Sequence, residues 1–266
     1  MPNAIVIPLQ RTNNAPLPAA VGECTHAAFF ALIWQADPVL SARLHDCPER
    51  KPFTLSGVQE ERGQQPGPGY QAHLRLTFLD DSLFPLLAGA LLRGGLEQGL
   101  RIGQAHFTPT GLLTTVGTHP LAGHAAYADL QERAQSAEAL TLRFDSPTLF
   151  RSQGQDVLWP SPRHVWQSWL RAWNEFAPEN TPERTLDEAR LLDLAAQVTV
   201  EHYRLETRHV SLTAGGMTGF QGTCVYGLKA LSDADRRIFT LLADFAFYAG
   251  TGRKTAMGLG QTIQLA

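Results

Sequence analysis

The order in which strand-like and helix-like segments follow one another is the tightest constraint on what this chain can fold into. Ala4–Gln10, AIVIPLQ, is short, β-branched and bounded by proline and polar residues, as a strand should be. Thr25–Leu44 carries Phe29, Phe30, Ile33, Leu40 and Leu44 at helical spacing. Pro38 splits that stretch, with Asp37 as a cap for its second piece. Pro52–Gln59 is a second strand and Ala72–Leu79, which alternates polar and apolar, a third. Arg62–Gly69 is turn material. Leu83–Gly94 is predicted as a helix ended by Gly94 and Gly95, and Gly99–Thr110 as a fourth strand.

That order, β-α-β-β-α-β, is the ferredoxin-like arrangement. An alanine-rich stretch from about Gly123 to Glu138 follows, and then the order starts again. Ala139–Phe150 is a strand with a break expected at Pro147, Ser161–Phe176 an amphipathic helix capped by Ser161, and Leu186–Val198 an inserted helical piece. Val198–Leu212 and Gly219–Leu228 are strands, Ser232–Gly250 a helix with an acidic first turn, and Met257–Leu265 a closing strand. The expected fold is α+β: two tandem ferredoxin-like (βαββαβ) domains, 1–128 and 129–266, with a C-terminal glycine-rich loop.

A length of 266 residues suits two such domains, and 44% apolar residues suffice for their cores. No apolar run reaches ~18 residues, so no membrane span is expected. The N-terminus has no basic region ahead of an apolar stretch, so no signal peptide is expected either. Cys24, Cys47 and Cys224 are widely spaced, which fits a reduced, cytoplasmic protein better than a disulfide framework. With a net charge of −3, a nucleic-acid partner would have to meet a local basic patch.

The segment YAGTGRKTAMGLGQ, Tyr248–Gln261, places Gly250, Gly252, Gly258 and Gly260 around Arg253 and Lys254. A phosphate-binding loop of the Walker type needs a strand before it and a glycine directly before the lysine, and this segment has neither. A Rossmann fingerprint fails because Thr255 stands at the third glycine and the order is helix then strand. The geometric reading is that Gly250 ends a helix while the other glycines admit close backbone approach and expose N–H groups to an anion. The alternative is a plain helix-to-strand loop. A second cluster, TAGGMTGFQGTCVYG (Thr213–Gly227), holds five glycines, Gly219 and Gly222 among them; a flexible hairpin is its alternative reading.

GFQGTCVYGL, then a helix, then YAGTGRKTAMGLGQT resembles the glycine-rich signature of CRISPR-associated repeat-processing endoribonucleases, of the repeat-associated mysterious protein superfamily. ADPVLSARLHDCPERKPFTLS (Ala36–Ser56) is similar to that family's segment in which a helix ends in leucine-histidine and a lysine precedes a Phe-Thr strand. The resemblance implies two ferredoxin-like domains and metal-independent cleavage of precursor CRISPR RNA inside each repeat. The ribose 2′-hydroxyl would attack the phosphate, leaving 2′,3′-cyclic phosphate and 5′-hydroxyl ends. It implies CRISPR repeat RNA as partner, with other effector subunits or a homodimer compatible, and neither cofactor nor metal.

Such chemistry needs a base, an acid and a cation, roles that suit histidine and lysine. His45 matches the family's catalytic histidine and Lys51 its lysine, with Arg50 able to substitute; a solvated histidine and an exposed lysine are the alternatives. Some relatives carry a catalytic tyrosine where this chain has Phe30. His26, one helical turn earlier, is the candidate second imidazole, against a structural helix-start histidine. For RNA contact the candidates are Arg253 and Lys254, then Lys229, Arg236 and Arg237, with the glycine N–H groups. Trp166, Trp169 and Trp173 share one helical face and read as core. His119 and His124 lack the further ligands zinc needs, and Cys47 beside His45 supports neither metal nor thiol chemistry. Two readings compete: a non-catalytic RNA-binding subunit of the same superfamily, and a ferredoxin-like small-molecule binder.

Overall fold

The computed structural model describes residues 1–46, 50–60, 67–80, 82–90, 99–182, 184–213 and 215–265. Expectations for Cys47, for the turn over 62–66 and for a helix end at Gly94–Gly95 lie outside the described residues. The chain forms two compact units. Unit 1 comprises Met1–His124 with Ser211–Gly215 and Ala256–Gly258; unit 2 comprises Ala125–Val210, Gly216–Thr255 and Leu259–Ala266. No helix of the described residues is long and apolar enough to cross a membrane.

Unit 1 runs β1 (Asn3–Arg11), α1 (Val21–Ala36), α2 (Pro38–Asp46), β2 (Phe53–Leu55), β3 (Gln59–Glu60), β4 (Gln71–Phe78), α3 (Leu83–Ala90), β5 (Leu100–Ile102), β6 (Ala105–Pro109) and β7 (Gly123–His124). Its sheet has the order β2-β4-β1-β6-β5, with β3 also on β4 and β7 on β1, and every pair is antiparallel. Alternation puts Ile5, Ile7 and Leu9 of β1 and Leu74, Leu76 and Phe78 of β4 in one core cluster. Phe29 and Ile33 of α1 and Leu40 and Leu44 of α2, each pair four residues apart, join them there. Each large side chain so buried contributes about 1.5–3 kcal/mol.

Unit 2 runs α4 (Tyr127–Arg133), β8 (Ala139–Thr148), β9 (Phe150–Ser152), β10 (Gln155–Val157), α5 (Pro162–Phe176), α6 (Glu188–Ala195), β11 (Thr199–Leu212), β12 (Gly215–Gly227), α7 (Asp233–Ala249) and β13 (Thr262–Leu265); the 3-10 turn Thr255–Met257 between α7 and β13 has its last two residues in unit 1. Its sheet order, β11-β12-β8-β13, repeats the arrangement of β2-β4-β1-β6 in unit 1. Both units therefore have the ferredoxin-like topology. The α5 tryptophans Trp166, Trp169 and Trp173 are fully buried. Trp166 donates to the Phe239 carbonyl at 3.0 Å and Trp169 to Thr251 Oγ1 at 2.9 Å.

Several elements differ from the sequence reading. Gly99–Thr110 is a hairpin turned at Gly103, whose φ is +63°. The alanine-rich stretch contains α4, held by buried Tyr127 and Leu130. Pro147 does not break β8; the irregularity falls on β12 opposite, between Phe220 and Gly222. The last strand is only four residues long, because Gly258 and Gly260 have φ of +89° and +72° and interrupt extended backbone. The short hairpin β9–β10 was not expected.

His73 on β4 is half-buried, and its Nε2 has no hydrogen-bond partner among the described residues. Burial first, then the charge of His119 with its ring 5.1 Å away, holds the His73 imidazole below its usual range. The unfolded chain then binds a proton at ~6.5 that the folded one refuses. Stability is unaffected above that pH and falls as pH drops below it, until the folded imidazole titrates. Urea midpoints should decline from pH 7.5 to 5.5, and His73→Gln should make that decline shallower.

Candidate active site

Leu40 and Leu44 anchor α2 in the core, which leaves His45, the next residue, on the solvent side of the last turn. Its side chain is 73% exposed, and Nδ1 lies 3.2 Å from Asp46 Oδ1. An ionised carboxylate can only accept, so Nδ1 carries the proton and a neutral His45 presents its lone pair at Nε2. Lys51 folds back on this helix end. Its Nζ donates to the carbonyl oxygens of Leu44 at 2.8 Å and His45 at 2.6 Å. The final carbonyls of a helix attract a cation, so an ammonium is held beside the imidazole by backbone geometry.

His26 lies on α1, one turn before Phe30. Its Nδ1 donates to the Ala256 carbonyl at 2.8 Å, and again Nε2 is left as the ring's second nitrogen. The Phe30 ring touches both imidazoles, with centroids 4.7 Å from His26 and 5.7 Å from His45. Phe53 lies behind, 6.0 Å from Phe30 and 6.4 Å from His26. Unit 1 thus brings His26 and His45 to one phenylalanine, with Lys51 tied to the backbone of the helix end that carries His45.

What fixes Ala256 is the backbone packing beside it. A Cβ added at Gly22, in the first turn of α1, would collide with the Met257 carbonyl oxygen. Gly258 lies against Gly22 and Gly57, and its N–H donates to the Leu55 carbonyl at 2.8 Å. The glycine-rich segment therefore contributes a strip of backbone to unit 1, and that strip holds His26.

The remaining candidates are scattered. Gly250 caps α7 with φ +63° but ψ −175°, which is not the left-handed helical cap expected. Gly252 and Gly260 accommodate the backbone carbonyls of Leu149 and Thr251. Gly219 and Gly222 sit inside β12, within the strand expected over Gly219–Leu228; Gly219 faces the Thr148 backbone and Gly222 the Arg204 carbonyl. Arg253 pairs with Asp156 at 3.1 Å, and Asp156 also takes Arg151 at 2.9 Å. The Arg151 hydrogen bond, with Arg253 adding to it, holds the Asp156 carboxyl below its usual range. Lys254 adopts φ +56°. Lys229 lies 3.9 Å from Glu138. Arg236 is tied to the Leu228 and Lys229 carbonyls at 3.2 and 2.9 Å, and Arg237 is exposed. Arg236 lies in the first turn of α7 and Arg253 beyond its last residue, Ala249, so about 20 Å of helix separates the two cation groups, and they do not form one patch. Among the described residues no cluster of three or more His, Cys, Asp or Glu could hold a metal ion.

The sequence reading missed Trp34, four residues after Phe30 on α1 and 62% exposed. It falls outside the buried stripe that periodicity detects.

Two family models match the chain: the CRISPR Cas6 N-terminal domain over residues 1–132 and the CRISPR-associated endoribonuclease Cas6 over 142–262. A solved Cas6 product complex superposes with a TM-score of 0.85 at 31% identity, covering 100% of both chains. Thermus thermophilus Cas6 gives 0.78 at 30% identity, covering 100% of this chain and 98% of that one. The CRISPR-associated endoribonuclease Cas6 of Streptococcus thermophilus is 32% identical over 117 residues, 44% of this chain and 46% of that protein. The match thus spans about half the length of that curated relative.

Gly22→Ala should force the Ala256–Gly258 strip off α1. Hydrogen exchange at the Gly258 amide should then accelerate at least about tenfold, beyond any change in global unfolding, because its bond to Leu55 opens locally.

Proposed function

Because the chain belongs to the CRISPR-associated endoribonuclease Cas6 family, we propose that it cleaves precursor CRISPR RNA within its repeats, without a metal ion. The carrying observation is the pairing at the end of α2: an exposed imidazole, His45, with the Lys51 ammonium bound to its own carbonyl. In this reading His45 takes the proton of a ribose 2′-hydroxyl. The freed oxygen attacks the adjacent phosphorus while the bond to the 5′-oxygen of the next nucleotide breaks. Lys51 offsets the charge that builds on the phosphoryl oxygens. His26 acts as an imidazolium: it gives the Nε2 proton to the departing oxygen while its Nδ1–H stays on the Ala256 carbonyl. The products are a 2′,3′-cyclic phosphate and a 5′-hydroxyl.

Arg253 and Lys254, with the N–H groups of the glycine segment, are assigned to the RNA backbone, and Lys229 and Arg237 to a separate contact at the other end of α7. A solved relative with a bound product supports an RNA ligand. Neutralised phosphates release counterions, so affinity should fall steeply with salt.

The test is single-turnover cleavage of labelled repeat RNA in EDTA. Wild type should make one cut with a cyclic-phosphate end. His45→Ala should slow it by about 10²–10⁴-fold, the span of a general acid–base contribution, with RNA affinity within about threefold. Lys51→Ala should slow it comparably. Tight binding with no cut by wild type would make the chain an RNA-binding subunit instead. A cut undiminished in His45→Ala would overturn the site.

A further inference from the structure

We propose that the groove between α1 and α2 is a nucleobase subsite of the cleavage site, in which a base flanking the scissile phosphate stacks on Trp34. This rests on the reading that His45 cuts RNA.

Trp34 is the anomaly among the chain's tryptophans. Trp166, Trp169 and Trp173 are fully buried, and Trp159 at 40% exposure packs edge-on against Tyr203, centroids 4.9 Å apart. Trp34 is 62% exposed and has no aromatic neighbour among the described residues. An indole so placed leaves a large apolar face in water, and it is a side chain suited to stacking. It also borders a groove of about 480 Å³ lined by Phe30, Trp34, Pro38, Ala42 and His45.

The lining says what the groove takes. Among the described residues no lysine or arginine contributes to it, and Asp46 does, so the groove disfavours a phosphate. Gln35 stands in it beside the aromatic surface, and its amide offers both a donor and an acceptor to the edge of a flat, neutral ring. Such a lining, an aromatic face with a few polar groups, is how proteins hold unstacked RNA bases. The groove is also continuous with the reacting groups: His45 lines it, and Phe30 touches His45 on one side and His26 on the other. A strand whose phosphate lies at His45 therefore has its neighbouring base at the groove. Holding that base splayed from its neighbour would align the 2′-oxygen with the phosphorus, an orientation effect on rate.

The experiment combines protein and RNA changes. Wild type, Trp34→Ala and Trp34→Phe are each given the repeat RNA and a series in which single nucleotides around the cut are abasic. Trp34→Ala should slow cleavage or weaken binding by roughly tenfold, the size of one base-on-aromatic stack, and Trp34→Phe should recover most of it. At one position flanking the cut, loss of the base should cost wild type a similar factor and cost Trp34→Ala nothing further. This comparison is a ratio within each protein and does not depend on how much of the variant is folded. If Trp34→Ala matches wild type, or if it keeps the full penalty at every abasic position, the subsite is overturned. A change in oligomeric state with unchanged cleavage would also overturn it, in favour of a protein contact. If wild type leaves the RNA uncut, the endoribonuclease reading fails, and stacking is decided separately. In the His45→Ala background, 2-aminopurine at the flanking position should be quenched with Trp34 present and not with Trp34→Ala; equal fluorescence overturns the stack.

Discussion

At Gly22 the first helix has no side chain, and the Met257 carbonyl lies where a Cβ would be. That close approach lets the strip Ala256–Gly258 lie on the start of α1 and hydrogen-bond to Leu55. From the strip the Ala256 carbonyl fixes His26, and from His26 the Phe30 ring leads to His45. Buried Ala256 also belongs to the core cluster of β1, β4, α1 and α2, so the strip serves core and site together. A half-buried histidine has several rotamers, and the backbone acceptor selects one.

The two imidazoles are held differently, and chemistry would use the difference. His26 is half-buried and bonded to main chain. His45 is exposed, with a bond to the neighbouring Asp46 side chain that is open to solvent. Of the two, His45 has the freedom to follow a substrate, while His26 is a fixed point. Lys51 is intermediate: its head is tied to two helix-end carbonyls.

Much of the architecture was legible. The α5 tryptophans at spacings of three and four had to be core, and they are. Alternation in Ala72–Leu79 identified β4, and Asp37 caps α2, accepting from the Leu40 N–H at 2.9 Å. Where reading failed, the local signal was weak or ambiguous. Helix α4 has seven residues and two buried anchors, too few for periodicity to stand out. The β5–β6 hairpin left a trace that alternation alone concealed: the buried positions change parity, from Leu100 and Ile102 to Ala105 and Phe107, across Gly103. At the candidate site, the spacing of His45 and Lys51 is local and could be read. The bond from His26 to Ala256 joins residues 230 apart and exists only in the fold. Gly219 and Gly222 fall in a strand, as their segment was read, but that their neighbours are the backbones of adjacent strands is something a run of glycines does not announce.

Unit 1 is discontinuous in the chain, since Ala256–Gly258 belongs to it together with Met1–His124. A ribosome makes that strip after everything else the unit contains. Until residue 256 has been made, His26 has no Ala256 carbonyl to bind. A chain that stops short of that point carries every candidate catalytic side chain and lacks the backbone that orders them.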